Sequence, residues 1–91
     1  MRIKYLQWDE QNIEHIERHH ISQNEVQEAC KGKIWFRKGR DNRYIILGQT
    51  YSGRYLFLVL RPLGKGEFRP ITARDMTESE RRLFLRKVKQ L

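Results

Sequence analysis

Residues 68–82 carry the side chains best suited to bind an anion. Arg69 and Arg74 lie in a short run with the composition of a strand, and a helix start follows at once. Thr77 and Glu80 have the Thr-x-x-Glu spacing of a capping box, in which each side chain hydrogen-bonds a free backbone N–H of the first turn. Because a helix N-terminus carries partial positive charge, this segment predicts a strand-end arginine beside a site that favours anionic oxygens.

Arginines recur at or near the ends of the predicted strands. They are Arg43, Arg54, Arg61, Arg69 and Arg74. Side chains so placed can converge on one side of a sheet. If the ligand is RNA, its own 2′-hydroxyl attacks the phosphorus, and the protein supplies a base, an acid and fixed positive charge. Arginine serves the last role and histidine or glutamate the proton roles. Arginines also stand at strand ends without any such function, so the pattern permits this chemistry without requiring it.

A second basic stretch, residues 31–43, holds Trp35 and Phe36 among its charges. Its candidate RNA contacts, besides Arg43, are Lys33, Arg37, Lys38 and Arg40. Phosphates favour such a patch through counterion release, and unpaired bases stack on exposed aromatic rings. The alternative is that the aromatic residues belong to the core and the lysines are simply solvated. Strand alternation points the two rings to opposite faces, so at least one is predicted to be core.

Three histidines raise the question of a metal site. His15 and His19 are four residues apart, hence on one face of a predicted helix, but neither a His-Glu-x-x-His pattern nor a third ligand accompanies them. We therefore predict no metal and no cofactor. For His19 or His20, one reading is a helix-end residue that caps carbonyl groups. The other is a proton donor or acceptor near phosphate, because imidazole titrates close to neutral pH.

Charge is distributed unevenly along the 91 residues. The formal net charge is +8, from 19 Lys and Arg against 11 Asp and Glu; residues 1–30 hold 3 basic and 6 acidic residues, and the remainder holds 16 and 5. This imbalance predicts a polyanion or an acidic protein as partner, the alternative being a soluble domain with surplus surface charge. Twelve of the basic residues are arginines, which suit bidentate phosphate contacts.

Length and composition predict the class of protein, a small single-domain chain without a membrane span. The chain predicts one domain, residues 1–91, with one modest core. The single Cys30 cannot form an internal disulfide. The longest apolar run, residues 55–60, is far below the roughly 20 residues that cross a bilayer. We therefore expect a cytoplasmic protein with no membrane partner.

Hydrophobic periodicity predicts an α+β fold with the element order β-α-α-β-β-β-β-α. Asp9 and Ser22 are predicted to cap the first two helices. The expected strands are residues 3–8, 34–36, 43–50, 54–61 and 68–73, and the expected helices end near His19, Cys30 and Lys89. The last helix is expected to bury Leu83 or Phe84, Val88 and Leu91. Residues 55–60 are apolar on both faces, which predicts a central strand covered on each side. Pro70 predicts an edge position or a bulge.

Read together, these segments resemble the BrnT family of bacterial toxins, in the RelE-like group of small ribonucleases. The residues that carry the likeness are Trp8-Asp9, His19, Ile21-Ser22, Glu25-Val26, Arg43-Tyr44, Gly48, and Arg69-Pro70-Ile71-Thr72-Ala73-Arg74 followed by Glu80-Arg81-Arg82. The resemblance implies a RelE-like fold, a central antiparallel sheet of four to five strands packed with two N-terminal helices and one C-terminal helix.

The resemblance also implies a function and a site. The chain would be an endoribonuclease that arrests growth and is neutralised by a cognate antitoxin, with which it can form an oligomer. On this hypothesis Arg74 and Arg69 would clamp the scissile phosphate, with Arg43, Arg54 and Arg61 as supporting contacts. The resemblance makes His19 the candidate for proton transfer. Glu80 is the less favoured candidate for that role, and we expect it to be structural through its capping box with Thr77. The chain departs from the family at His15, where Asn is common, at His20, where Gly is usual, and at Phe84, where Tyr is usual. Two alternatives remain: a non-catalytic nucleic-acid-binding module and a basic protein-interaction domain.

Overall fold

A computed structural model describes residues 1–88. Its helices and strands are β1 (Tyr5–Leu6), α1 (Glu10–Glu17), α2 (Gln23–Lys31), β2 (Trp35–Lys38), β3 (Tyr44–Gln49), β4 (Tyr55–Gly64), β5 (Glu67–Asp75) and α3 (Glu78–Val88). The predicted α+β class and element order are confirmed. The expected helix end at Lys89 and the expected burial of Leu91 lie outside the described residues.

The five strands form one sheet in the order β1-β5-β4-β3-β2. Strands β2 to β5 pair antiparallel with their neighbours. Strand β1 is shorter than predicted and runs parallel to β5, with Tyr5 opposite Glu67. Strands joined by a short hairpin must pair antiparallel. No hairpin joins β1 to β5, so this pair is free to be parallel.

The core lies between the sheet and the helices α1 and α2. Leu56, Leu58 and Leu60, at every second position of β4, all point into this layer and are fully buried, as is Ile16 of α1. Each such side chain contributes roughly 1.5–3 kcal/mol through the apolar surface it removes from water. Helix α2 packs directly on β3. The approach is so close that a Cβ at Gly48 would overlap the Ala29 carbonyl group, so only glycine fits there.

The opposite side of the sheet is only partly covered. Phe84 of α3 is 2% exposed and packs edge-on against Tyr55, with ring centroids 6.1 Å apart. The helix packs against β2 and β3, whereas Phe57 and Val59 of β4 are half-buried. β4 is central as predicted, but the expected cover on both sides is wrong, because one short helix cannot span five strands. We call the side of β4 and β5 that faces away from α1 and α2 the open face.

Each predicted helix cap is present. Asp9 accepts from Asn12 N–H and caps α1, and Ser22 and Glu25 form the predicted capping box of α2. Thr77 N–H donates to Glu80 at 2.8 Å and Glu80 N–H donates to the Thr77 hydroxyl at 3.2 Å. Helix α1 ends at Glu17, earlier than expected. The chain then enters the left-handed region at His20, with φ of 60°, which no helix can continue through.

Strand β5 contains the bulge that Pro70 predicts. Val59 pairs with Thr72 and the next residue, Leu60, pairs with Pro70, so Ile71 is an extra residue on β5. The Pro70 carbonyl oxygen faces α1 and accepts a hydrogen bond from the Asn12 side chain at 3.2 Å. Among residues 1–88, no helix has the length and apolar character needed to span a membrane.

Candidate functional site

Three of the predicted arginines share the open face. Arg61 lies directly opposite Arg69, and Arg74 lies opposite Phe57. Residues opposite each other in an antiparallel pair point to the same side. Phe57 and Arg61 alternate with the buried leucines of β4, so all of these side chains point away from α1 and α2. The strand register thus brings Arg61, Arg69 and Arg74 to one surface.

The guanidinium of Arg74 is fixed in orientation. Its Nη1 and Nη2 donate to the two carboxylate oxygens of Glu80 at 2.8 and 2.9 Å, and Nη1 also donates to the Asp75 carbonyl oxygen at 3.0 Å. One flat side lies 3.7 Å from the centroid of the Phe57 ring. The hydrogen bonds to Arg74 lower the pKa of the Glu80 carboxyl, and the same contact raises the pKa of Arg74. Two N–H groups of the five remain, Nε–H and the second on Nη2, and both point from the same edge.

Arg69 ties the strand to the start of α1. Its guanidinium donates to the Asp9 carboxylate at 2.7 and 3.3 Å and to the Gln7 side-chain oxygen at 3.2 Å. Its side chain is only 15% exposed. The hydrogen bond from Arg69 lowers the pKa of Asp9. Arg69 is therefore partly neutralised and held in place at the rim of the open face.

Arg61 carries the uncompensated charge of this surface. Its side chain is exposed, and it makes no ion pair within residues 1–88. Like charges directly opposite on neighbouring strands are destabilising, so the Arg61–Arg69 pair favours an anion between the two strands. Arg37 extends the same face, because it lies opposite Ile45, which pairs in turn with Val59.

The remaining basic residues named from the sequence do not all join this surface. Arg43 precedes β3, and its Nε is buried without a hydrogen-bond partner in the described part of the chain. Lys38 lies opposite Tyr44, whose ring packs on Phe68 in the core, and so points to the helix side of the sheet. Lys33 and Arg40 are exposed in the segments that flank β2.

Arg54 lies on the other side of the sheet. Its guanidinium donates to Asp75 at 2.7 and 3.1 Å, to the Glu25 carboxylate at 3.2 and 3.3 Å, and to the His20 carbonyl oxygen at 2.7 Å. The contact with Asp75, followed by that with Glu25, raises the pKa of Arg54, and the contact with Arg54 lowers that of Asp75. The structure therefore uses this arginine to join α2, the α1–α2 turn and the end of β5.

Two histidines lie at the rim of the open face, His15 on α1 and His19 in the turn that follows this helix. His15 Nε2 lies 3.0 Å from the Thr72 hydroxyl oxygen, and Thr72 stands on β5 between Arg69 and Arg74. The ring of His19 contacts that of His15 edge-on, with centroids 5.3 Å apart. Sequence reasoning favoured His19 and gave His15 no role near phosphate. The four-residue spacing of the two histidines, and the two-residue spacing of Thr72 and Arg74, were the signals that could have found His15 and Thr72.

Asn12 helps to hold α1, and with it His15, against β5. Its side chain is 3% exposed, and its amide donates to the carbonyl oxygens of Gln7 at 2.9 Å and Pro70 at 3.2 Å. A cleft of about 240 Å³ opens beside it. Its lining residues are Gln11, Asn12, His15, Arg69, Pro70 and Ile71. His15 and Arg69 thus line the same cleft.

The arrangement can bind an anion without a metal ion. No group of three or more His, Cys, Asp or Glu side chains able to hold a metal occurs within residues 1–88. Fixed guanidinium groups supply positive charge, and imidazoles supply proton donors and acceptors at the same surface.

These features define a small α+β domain with three arginines on one sheet face, and comparison with known families gives it a class. Residues 8–80 match the sequence model of a ribonuclease toxin of type II toxin–antitoxin systems. That family is BrnT, and because the match covers most of the chain, the chain belongs to it. Searches of curated proteins and of solved structures gave no match.

Proposed function

We propose that this chain is the toxin of a type II toxin–antitoxin pair and cleaves RNA internally. Its activity would arrest growth, and a cognate antitoxin protein would neutralise it. Family membership supports the class. The observation that carries the site is the placement of Arg61, Arg69 and Arg74 on one open face, with His15 bonded to Thr72 between them.

The proposed reaction uses the substrate's own nucleophile. The ribose 2′-oxygen attacks phosphorus, its proton passes to a base, and the bond from phosphorus to the 5′-oxygen breaks. An acid returns a proton to that oxygen, so the products are a 2′,3′-cyclic phosphate and a 5′-hydroxyl. The extra negative charge on phosphorus develops beside Arg61, Arg69 and Arg74, where positioned positive charge lowers the barrier.

The two imidazoles fill the proton roles in this proposal. His15 is fixed by Thr72, and His19 contacts it at the exposed rim, so one ring can act as base and the other as acid. Glu80 fits these roles less well. Its pKa is lowered by Arg74, and a weak base with a low pKa carries protons poorly near neutral pH. Its carboxylate is better suited to hold Arg74 and cap α3.

The other basic residues would contact RNA outside the reacting group. Arg37 would extend the binding surface across β2, and the exposed Lys33 and Arg40 would add attraction from the segments that flank β2. Lys38, which points to the helix side of the sheet, and Arg43, whose Nε is buried, are less well placed for this role. Arg54, with its guanidinium held by two carboxylates, is assigned to the fold rather than to the RNA.

The test is cleavage of a defined RNA by the purified chain in the presence of a metal chelator. We expect products with 2′,3′-cyclic phosphate and 5′-hydroxyl ends, and no cleavage when the scissile nucleotide carries a 2′-O-methyl group. Arg74→Ala should abolish cleavage and growth arrest while retaining a cooperative thermal transition. Arg82→Ala, an exposed arginine of α3 paired with Glu78, is the matched control.

Two results would favour the alternatives. RNA that is bound with a steep salt dependence and left uncut under all conditions would indicate a non-catalytic binding module. A chain that neither binds RNA nor arrests growth, but binds an acidic protein, would indicate an interaction domain. Co-expression of the neighbouring small gene should restore growth if that gene encodes the antitoxin.

A further inference from the structure

We infer that the outer flat side of the Arg74 guanidinium is a stacking platform for one unpaired nucleobase, which makes single-stranded RNA the substrate class. This inference rests on the proposed function and deepens it. The two remaining N–H groups of Arg74, on Nε and Nη2, would contact phosphate in the plane of the guanidinium, and the base would lie above that plane. The two contacts use different parts of one side chain.

The platform is built before any ligand arrives. Phe57 supports the inner side of the guanidinium at 3.7 Å. The bidentate contact with Glu80 and the bond to the Asp75 carbonyl oxygen prevent rotation within the plane. Glu80 is itself held by Thr77 through the capping box of α3. A planar cation fixed in this way loses little conformational entropy when a base stacks on it.

The outer side is available to a ligand. The Arg74 side chain is 42% exposed. The Phe57 ring lies against one flat side and the hydrogen-bond partners lie at the edges, which leaves the other flat side for a ligand. Bases of single-stranded RNA stack on guanidinium planes as well as on aromatic rings. A bound base would complete a continuous stack of Phe57, Arg74 and the nucleobase.

The charge balance around Arg74 indicates that this residue does more than attract phosphate. Glu80 neutralises Arg74, whereas Arg61 makes no ion pair within the described residues. Simple electrostatic attraction is therefore stronger at Arg61, and the distinctive property of Arg74 is its fixed, exposed plane. A base within a duplex is covered on both sides by its neighbours and cannot reach that plane without unstacking, so duplex RNA would be excluded.

The experiment uses a short RNA that carries 2′-O-methyl groups throughout and cannot be cut. The fluorescent base 2-aminopurine is placed at each position in turn, and its emission is quenched when it stacks. With the wild-type chain we expect quenching at one position. Arg74→Lys keeps the charge but lacks the plane, so it should lose the quenching and weaken binding roughly 5- to 150-fold.

Two further variants make the result specific. Phe57→Leu keeps an apolar floor under Arg74 but removes the flat ring, so quenching should fall while the guanidinium remains. Arg82→Lys applies the same chemical change to an exposed arginine of α3 and should leave quenching and affinity unchanged. Thermal unfolding of each variant shows that the fold is retained.

The outcomes separate this inference from the proposed function. Quenching and affinity that survive Arg74→Lys, equal binding of a duplex with the same sequence, or no binding at all would overturn the platform. If the wild-type chain cuts unmodified RNA yet shows no quenched position, the ribonuclease proposal stands and the platform does not. If quenching depends on Arg74 but no RNA is ever cut, the platform stands and the ribonuclease proposal fails.

Discussion

Arg69 and Arg74 stand five positions apart on β5, yet their side chains point to the same face. In a regular strand an odd separation places two side chains on opposite faces. The extra residue at Ile71 restores the match, because a bulge advances the chain by one position without advancing the pairing. The bulge therefore brings the two arginines onto one surface.

Arg61→Ala tests the unpaired charge opposite Arg69. Removing one phosphate contact should reduce the slope of log Kd against log salt by about 0.7 for single-stranded RNA. The free energy of unfolding should stay constant or rise slightly, because the repulsion between opposed arginines is relieved. Binding measured at several salt concentrations checks the first point and urea unfolding the second. An unchanged slope would remove Arg61 from the interface.

Substitution of the histidines tests the proton roles. His15→Asn can keep a hydrogen bond to Thr72 but cannot transfer a proton, and His19→Asn likewise lacks a titrating group. Each should lower the single-turnover cleavage rate by about 10²- to 10⁴-fold with little change in RNA affinity. His20→Asn is the control, since Asn tolerates the left-handed backbone at that position. Wild-type rates for both test variants would place the proton groups elsewhere.

Glu80→Gln tests whether this carboxylate orients Arg74 or carries a proton. Glutamine at this position can still form the capping box with Thr77 and can accept one bond from Arg74. We expect cleavage within about tenfold of wild type, whereas removal of a true proton carrier costs about 10²- to 10⁴-fold. Single-turnover rates between pH 5 and 9 distinguish the two. A loss in the larger range would make Glu80 a proton carrier.

Stability should fall in acid for an identifiable reason. The pKa values of Glu80 and Asp75 are lowered in the folded chain by Arg74 and Arg54, from ordinary values of 4.5 and 3.8. Between the lowered and ordinary values the unfolded chain binds more protons, so this stabilisation is complete above the ordinary pKa values and is lost as pH falls through the lowered ones. Urea unfolding from pH 7 to pH 3 measures the loss. It should be smaller in Glu80→Gln, which has no carboxyl to titrate; an identical loss would contradict this assignment.

Arg54→Ala separates a residue of the fold from a residue of the interface. Two carboxylates and a backbone carbonyl group lose their donor, so the free energy of unfolding should drop by about 1–3 kcal/mol. The salt slope of RNA binding should be unchanged, because the side chain lies on the side of the sheet away from Arg61. Paired urea and binding measurements check both points. A reduced slope with unchanged stability would return Arg54 to the RNA-binding surface.

Local patterns predicted what depends on local contacts. The caps at Asp9, Ser22 and Thr77 follow from hydrogen bonds that span three residues, and all three are present. The central position of β4 followed from its apolar run. Pro70 predicted a bulge. It did not predict that the bulge would place Arg69 and Arg74 on one face, because that depends on how β4 pairs with β5.

Long-range contacts explain the rest. The partners of Arg54 lie 21 and 29 residues away, so its strand-end position in the sequence resembled that of the other arginines. His15 meets Thr72 across 57 residues. Nothing in the spacing of either segment specifies how α1 docks on β5. Helix periodicity gives the face of α1, whereas the docking depends on contacts between distant parts of the chain.

Asn12 connects the two groups of side chains that the proposed site combines, the arginines of the sheet and the histidines. The arginines lie on the sheet, whereas His15 lies on α1 and His19 in the turn after it. The buried Asn12 amide is one of the contacts that hold this helix to β5, through the Pro70 carbonyl oxygen. A change at Asn12 that displaces α1 would move His15 away from Thr72, whereas Arg61 and Arg74 are placed by the pairing of β4 with β5. Under the proposed function, such a molecule would still bind RNA but would not cut it.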